Sequence, residues 1–123
     1  MSDYREKEAE TLRVLFCFGV SQTFFEEEGT RLPELVGTIR EAFTDLGGRF
    51  GATVLGTFDD DEAMVGPSET YPWTAYILAD VPGWHAVTQI TNVLRETEVG
   101  PYRLWKYMKV EARIGRKLFF GNE

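Results

Sequence analysis

Apolar and polar positions alternate through Tyr102–Ile114. Leu104, Met108, Val110, Ala112 and Ile114 form one row, broken only by Lys106, and the opposite row is Arg103, Trp105, Tyr107, Lys109, Glu111 and Arg113. A period of two predicts a β-strand. Its second row is too aromatic for a solvated face and too charged for a core. That composition belongs to a surface that meets a pocket or another subunit.

Upstream, Thr11–Val20 (TLRVLFCFGV) is a β-rich apolar run that reads as the first strand. Pro33 sits where a first helical turn accepts it. Leu35, Val36, Ile39, Ala42, Phe43 and Leu46 then recur at helical spacing, and Gly47-Gly48 is the expected stop. Phe50–Phe58 and Trp73–Asp80 read as the second and third strands. Pro82 and Gly83 open a second helix with an apolar stripe of Ala86, Ile90, Val93, Leu94 and Thr97. Gly100-Pro101 ends it before the final strand.

The order β-α-β-β-α-β predicts an α+β, ferredoxin-like βαββαβ fold: an antiparallel four-stranded sheet with two helices on one face. The domain spans 11–116, between a frayed, charged leader at 1–10 and a tail at 117–123. By alternation, the uncovered sheet face carries Leu15, Cys17, Gly19, Thr53, Leu55, Thr57, Tyr76, Leu78, Trp105 and Tyr107. So large an apolar surface calls for a partner, and a homodimer closing sheet on sheet into a dimeric α+β barrel supplies one. The connections Ser21–Leu32, Asp59–Pro72 and Glu98–Pro101 fall at one rim. Hairpin loops usually run about 2–5 residues and the second of these has about a dozen, which suits a binding wall or a plain insertion.

Thirteen basic and twenty acidic residues give a net charge of −7, with no basic stripe for nucleic acid or anionic membrane. No apolar run approaches the roughly 20 residues of a membrane helix. The first ten residues lack a signal-peptide layout. A single cysteine, Cys17, excludes an internal disulfide and fits a cytoplasmic protein.

Catalytic signatures are sparse. Asp59-Asp60-Asp61-Glu62 fails as a calcium loop because Ala63 and Met64 stand at ligand-bearing positions. Neither a metal nor a cofactor is expected. Gly47-Gly48-Arg49-Phe50-Gly51 lacks the strand-before-helix setting of a dinucleotide motif. His85 is the sole histidine and a general acid–base candidate, though a surface or helix-start histidine is the stronger reading. Cys17, in mid-strand, is expected to stay protonated and inert. The stronger constellation is aromatic plus cationic: Trp105, Tyr107 and Tyr76 on the uncovered face, Arg103 near the long-loop rim, and Tyr71 and Trp73 entering from that rim. Rings offer stacking area and a guanidinium can grip a carboxylate, so a small planar aromatic acid fits. A dimer interface favours the same residue types. Glu111 and Arg113 are expected to pair between chains, and Phe119-Phe120 to dock on the partner or on the chain's own body.

The strings VLGTFDDDEAMVGPSETYPWTAYILAD (Val54–Asp80) and LWKYMKVEARIGR (Leu104–Arg116) resemble the IacB-like small proteins of bacterial indole-3-acetic acid degradation clusters, over residues 11–116. The resemblance implies a dimeric cytoplasmic ferredoxin-like protein of aromatic-acid catabolism. It brings no catalytic signature to carry across. Two functions follow. One is cofactor-independent conversion of an oxidised indole intermediate, with Arg103 as anchor, Trp105 and Tyr76 stacking, and Tyr107 or His85 moving a proton. The other is a noncatalytic dimer that binds or scaffolds an intermediate or a partner enzyme.

Overall fold

The computed structural model describes residues 11–21, 24, 31–63, 65–66 and 73–121. It is an α+β protein with a four-stranded antiparallel sheet, broadly compatible with a ferredoxin-like arrangement. The sheet consists of β1 (Leu12–Val20), β2 (Thr53–Asp59), β3 (Ala75–Val81) and β6 (Met108–Gly115), in the order β2-β3-β1-β6. A short ribbon of β4 (Glu98–Val99) and β5 (Tyr102–Arg103) stands apart from it.

The inward row of β1 is Val14, Phe16 and Phe18. It meets Ala79 and Val81 of β3 and the helical residues Leu35, Val87, Ile90 and Leu94 in one buried core. Burying each large apolar side chain there stabilises the fold by roughly 1.5–3 kcal/mol. Both helical segments therefore cover the same face. Phe43, just past the first helix, meets Phe18 edge-on at 5.1 Å.

Helix α1 (Arg31–Ala42) ends earlier than the double glycine predicts. Asp45 adopts the left-handed conformation (φ 49°) and its carboxylate accepts from the Gly48 amide, which starts a separate short helix α2 (Leu46–Phe50). Arg49 donates to the Ala42 and Thr44 carbonyls at 2.7 and 2.9 Å, satisfying groups that the end of α1 leaves open. Gly51 closes α2 at φ 73°, a conformation that favours glycine. Phe50 is consequently helical, and β2 begins at Thr53.

The second helix forms as α3 (Trp84–Thr91) and α4 (Val93–Glu96), divided at Asn92. Its expected stripe holds: Ala86, Ile90, Val93 and Leu94 are buried, and Thr97 is half-buried.

Two expectations about the sheet need correction. The final strand does not run from Tyr102: Leu104–Lys106 form a 3-10 turn, and β6 starts at Met108. Gly100, at φ 57°, folds the preceding segment back into the β4–β5 ribbon. The second correction is a bulge between Val54 and Gly56. Beyond it Thr57 pairs with Ile77 on the helix side, while Gly56 and Phe58 pair with Leu78 and Tyr76 on the open side. The open face thus carries Gly56 and Phe58 where unbroken alternation puts Leu55 and Thr57.

Candidate functional site

The open face is assembled from cross-strand partners. Leu15 lies opposite Leu78 and Arg113, Cys17 opposite Tyr76 and Glu111, and Gly19 opposite Lys109. Charges frame its apolar centre. Arg13 and Asp80 pair at 2.8 Å near one end, and Arg113 meets Glu111 at 2.9 Å within β6. This second pair is intrachain, whereas interchain bridges were expected. Cys17 is fully buried, and that burial raises its thiol pKa; nearby Arg113 opposes the rise and Glu111 adds to it.

A cleft of about 680 Å³ opens on this face, walled by Phe58, Tyr76, Leu78 and Leu15, with Ala63 and Val65 of the β2–β3 connection at its edge. Phe58 and Tyr76 stack at 5.9 Å. The Tyr76 hydroxyl lies 3.1 Å from an Asp60 carboxylate oxygen and 3.2 Å from the Trp73 carbonyl, both acceptors for its proton. Asp59 accepts from the Asp61 amide, so part of the acidic run is spent on turn geometry. Among the described residues no group of three or more His, Cys, Asp or Glu is placed to hold a metal. No helix there is long and apolar enough to cross a membrane.

A second cavity, about 690 Å³, lies between the end of α3, α4 and the start of β6. Trp73, Trp105, Arg95 and Lys109 line it. The Arg95 guanidinium sits 5.6 Å from the Trp105 ring centroid. The long β1–α1 and β2–β3 connections open at the same rim, since Val20 pairs with Met108 and Asp59 with Ala75.

The anticipated site residues are thus dispersed. Trp73 and Trp105 share this second cavity, and Tyr76 lines the sheet cleft. Trp105 is not on the sheet face; it projects from the 3-10 turn and is 60% exposed. Tyr107 is fully buried in the core, again not on the open face, because the turn displaces it from the strand. Arg103 belongs to the β4–β5 ribbon. It donates to the Glu96 carbonyl at 3.2 Å, closing the end of α4, and lies 3.8 Å from Glu98. His85 is exposed in the first turn of α3, at the far rim. Tyr71 lies outside the described residues.

Sequence reasoning missed Arg95 and Phe58. The signal for Phe58 was Gly56, a residue that often marks a bulge inside a strand. Arg95 had no local signal, because α4 and the 3-10 turn meet only through the tertiary fold. No protein-family profile, no curated protein and no solved structure matches this chain.

Proposed function

We propose that this chain is a ferredoxin-like βαββαβ protein acting as a homodimer, closed sheet on sheet into an α+β barrel. Its role in this reading is to bind an aromatic acid of the indole-3-acetate type during cytoplasmic catabolism, as in the IacB-like proteins it resembles. The observation that carries the reading is the open face itself. Leu15, Leu78, Tyr76 and Phe58 run together there, and β2 is exposed along its whole length although it bears Val54, Leu55 and Phe58. A surface of that kind calls for cover. The flanking pairs Arg13–Asp80 and Glu111–Arg113 give each copy both signs of charge, which suits a self-complementary interface.

Binding is favoured over conversion because the two proton-moving candidates do not share a space. Tyr107 is enclosed by the core, and His85 stands at the opposite rim from Trp105. Light scattering at micromolar concentration tests the dimer, with a dimer expected for the native chain and a folded monomer for Leu78→Arg. A monomeric native chain removes the barrel. Titration with indole-3-acetate and its hydroxylated derivatives, followed by product chromatography, separates the two roles. Saturable binding without turnover is expected, and turnover would restore the enzyme reading.

A further inference from the structure

We propose that the cavity between α3–α4 and the start of β6 is the ligand site, and that it takes a planar aromatic carboxylate with its ring between Trp73 and Trp105 and its charge at Arg95 and Lys109. The proposal rests on the aromatic-acid reading above for its probe, but the chemistry of the cavity argues for the same class. At about 690 Å³ it has the size of a small-molecule pocket.

Trp105 is exposed without being loose. Its neighbour Leu104 and the nearby Tyr107 are both fully buried. Three backbone bonds hold the turn: Leu104 amide to Thr97 carbonyl at 2.9 Å, Tyr107 amide to Leu104 carbonyl at 2.9 Å, and Ser21 amide to Tyr107 carbonyl at 2.8 Å. The indole is thereby presented on a fixed support. Trp73 is half-buried just before β3 and is fixed in a similar way. The amide of the next residue, Thr74, donates to Phe18, and the Trp73 carbonyl lies within reach of the Tyr76 hydroxyl. An aromatic ring entering here meets preorganised faces, which lowers the ordering cost of binding.

The charge is equally specific. This chain carries −7 overall, yet Arg95 and Lys109 both border the cavity. Among the described lining residues the carboxylate beside them is Glu111, which Arg113 engages at 2.9 Å, so the balance of that lining is positive. Arg95 already lies over the Trp105 ring at 5.6 Å, a position from which it can hold a carboxylate while the ring stacks. The sheet cleft offers the opposite chemistry. The charged side chain on its described lining is Asp60, which repels an acid.

The test is a fluorescence and calorimetric titration of the full chain with indole-3-acetate and with its neutral amide, indole-3-acetamide. Arg95→Gln and Lys109→Gln should each weaken the acid roughly ten- to a hundredfold while leaving the amide unchanged, as expected for lost charge-assisted contacts. Trp105→Ala should weaken both ligands. Phe58→Ala, in the sheet cleft, should weaken neither. If Phe58→Ala abolishes acid binding and the α4 and β6 variants do not, the ligand occupies the sheet cleft; this site is then refuted while the aromatic-acid reading survives. If the native chain binds neither ligand, both fail together. Equal loss of acid and amide in Arg95→Gln would also overturn the carboxylate contact.

Discussion

Arg13 and Asp80 face each other directly across β1 and β3, and the guanidinium grips the carboxylate through two contacts, at 2.8 and 3.2 Å. The pairing holds the Asp80 carboxyl below its ordinary pKa, chiefly through that hydrogen bond, and raises Arg13 in return. A carboxyl depressed in the folded state stabilises the fold above its unfolded pKa, about 3.9 for Asp. That contribution is lost as the pH falls through the lower, folded value. Asp80→Asn should therefore reduce stability at neutral pH and lose less on acidification than the native chain. Urea midpoints taken between about pH 2 and 6 check this, and parallel curves would count against it.

Trp105 and Tyr107 stand two residues apart in sequence and at opposite extremes of burial. Tyr107→Ala should cost about 3–5 kcal/mol, the range for deleting a buried aromatic ring. Trp105→Ala should stay within about 0.5 kcal/mol, as exposed positions do. Equilibrium denaturation of both variants, at one protein concentration, reads the contrast. Similar losses would mean that Trp105 is packed in solution, for example against a second copy.

Cys17 gives a chemical probe of the open face. Its thiol is buried with a raised pKa, so alkylation at mildly alkaline pH should be far slower in the native protein than in the urea-unfolded chain. In the Leu78→Arg variant the neighbouring wall is disturbed and any partner displaced, so the rate should rise without unfolding. Mass spectrometry of timed samples follows the reaction.

The C-terminal rings meet edge-on, Phe119 to Phe120 at 4.8 Å, and Phe119 is 91% exposed. The part of the docking expectation that placed Phe119 on its own body is not met. Under the proposed dimer, truncation after Arg116 should lower the thermal midpoint only at concentrations where two chains associate. A midpoint unchanged at every concentration would show that the tail contributes no docking contact.

Much of the sheet and both helical stripes were legible because their periodicity is strong. Val14, Phe16 and Phe18 alternate inward as expected, and Ala86, Ile90, Val93 and Leu94 form the buried stripe of the second helix. The failures have local causes. Residues 102–107 alternate except at Lys106, too small a departure for pattern to separate extended chain from a 3-10 turn. The break in the apolar row at Lys106 was the available hint, and Lys106 indeed ends the turn, its ammonium 3.2 Å from the Tyr102 ring centroid. The end of α1 was misplaced because Asp45, not glycine, adopts the left-handed conformation. Of the residues that line the second cavity, Trp73 and Trp105 were found through their type, whereas Arg95 required knowledge of which helix end meets which turn.

The offset between Val54 and Gly56 makes the allegiance of everything after it a matter of counting. Leu55 is the supernumerary residue: removing its codon would restore plain alternation and leave the Phe58 ring where it is, opposite Tyr76. The aromatic wall thus hangs on one surplus residue, since a strand of the present length paired without the offset would set the Thr57 hydroxyl opposite Tyr76 and turn the Phe58 ring to the helices.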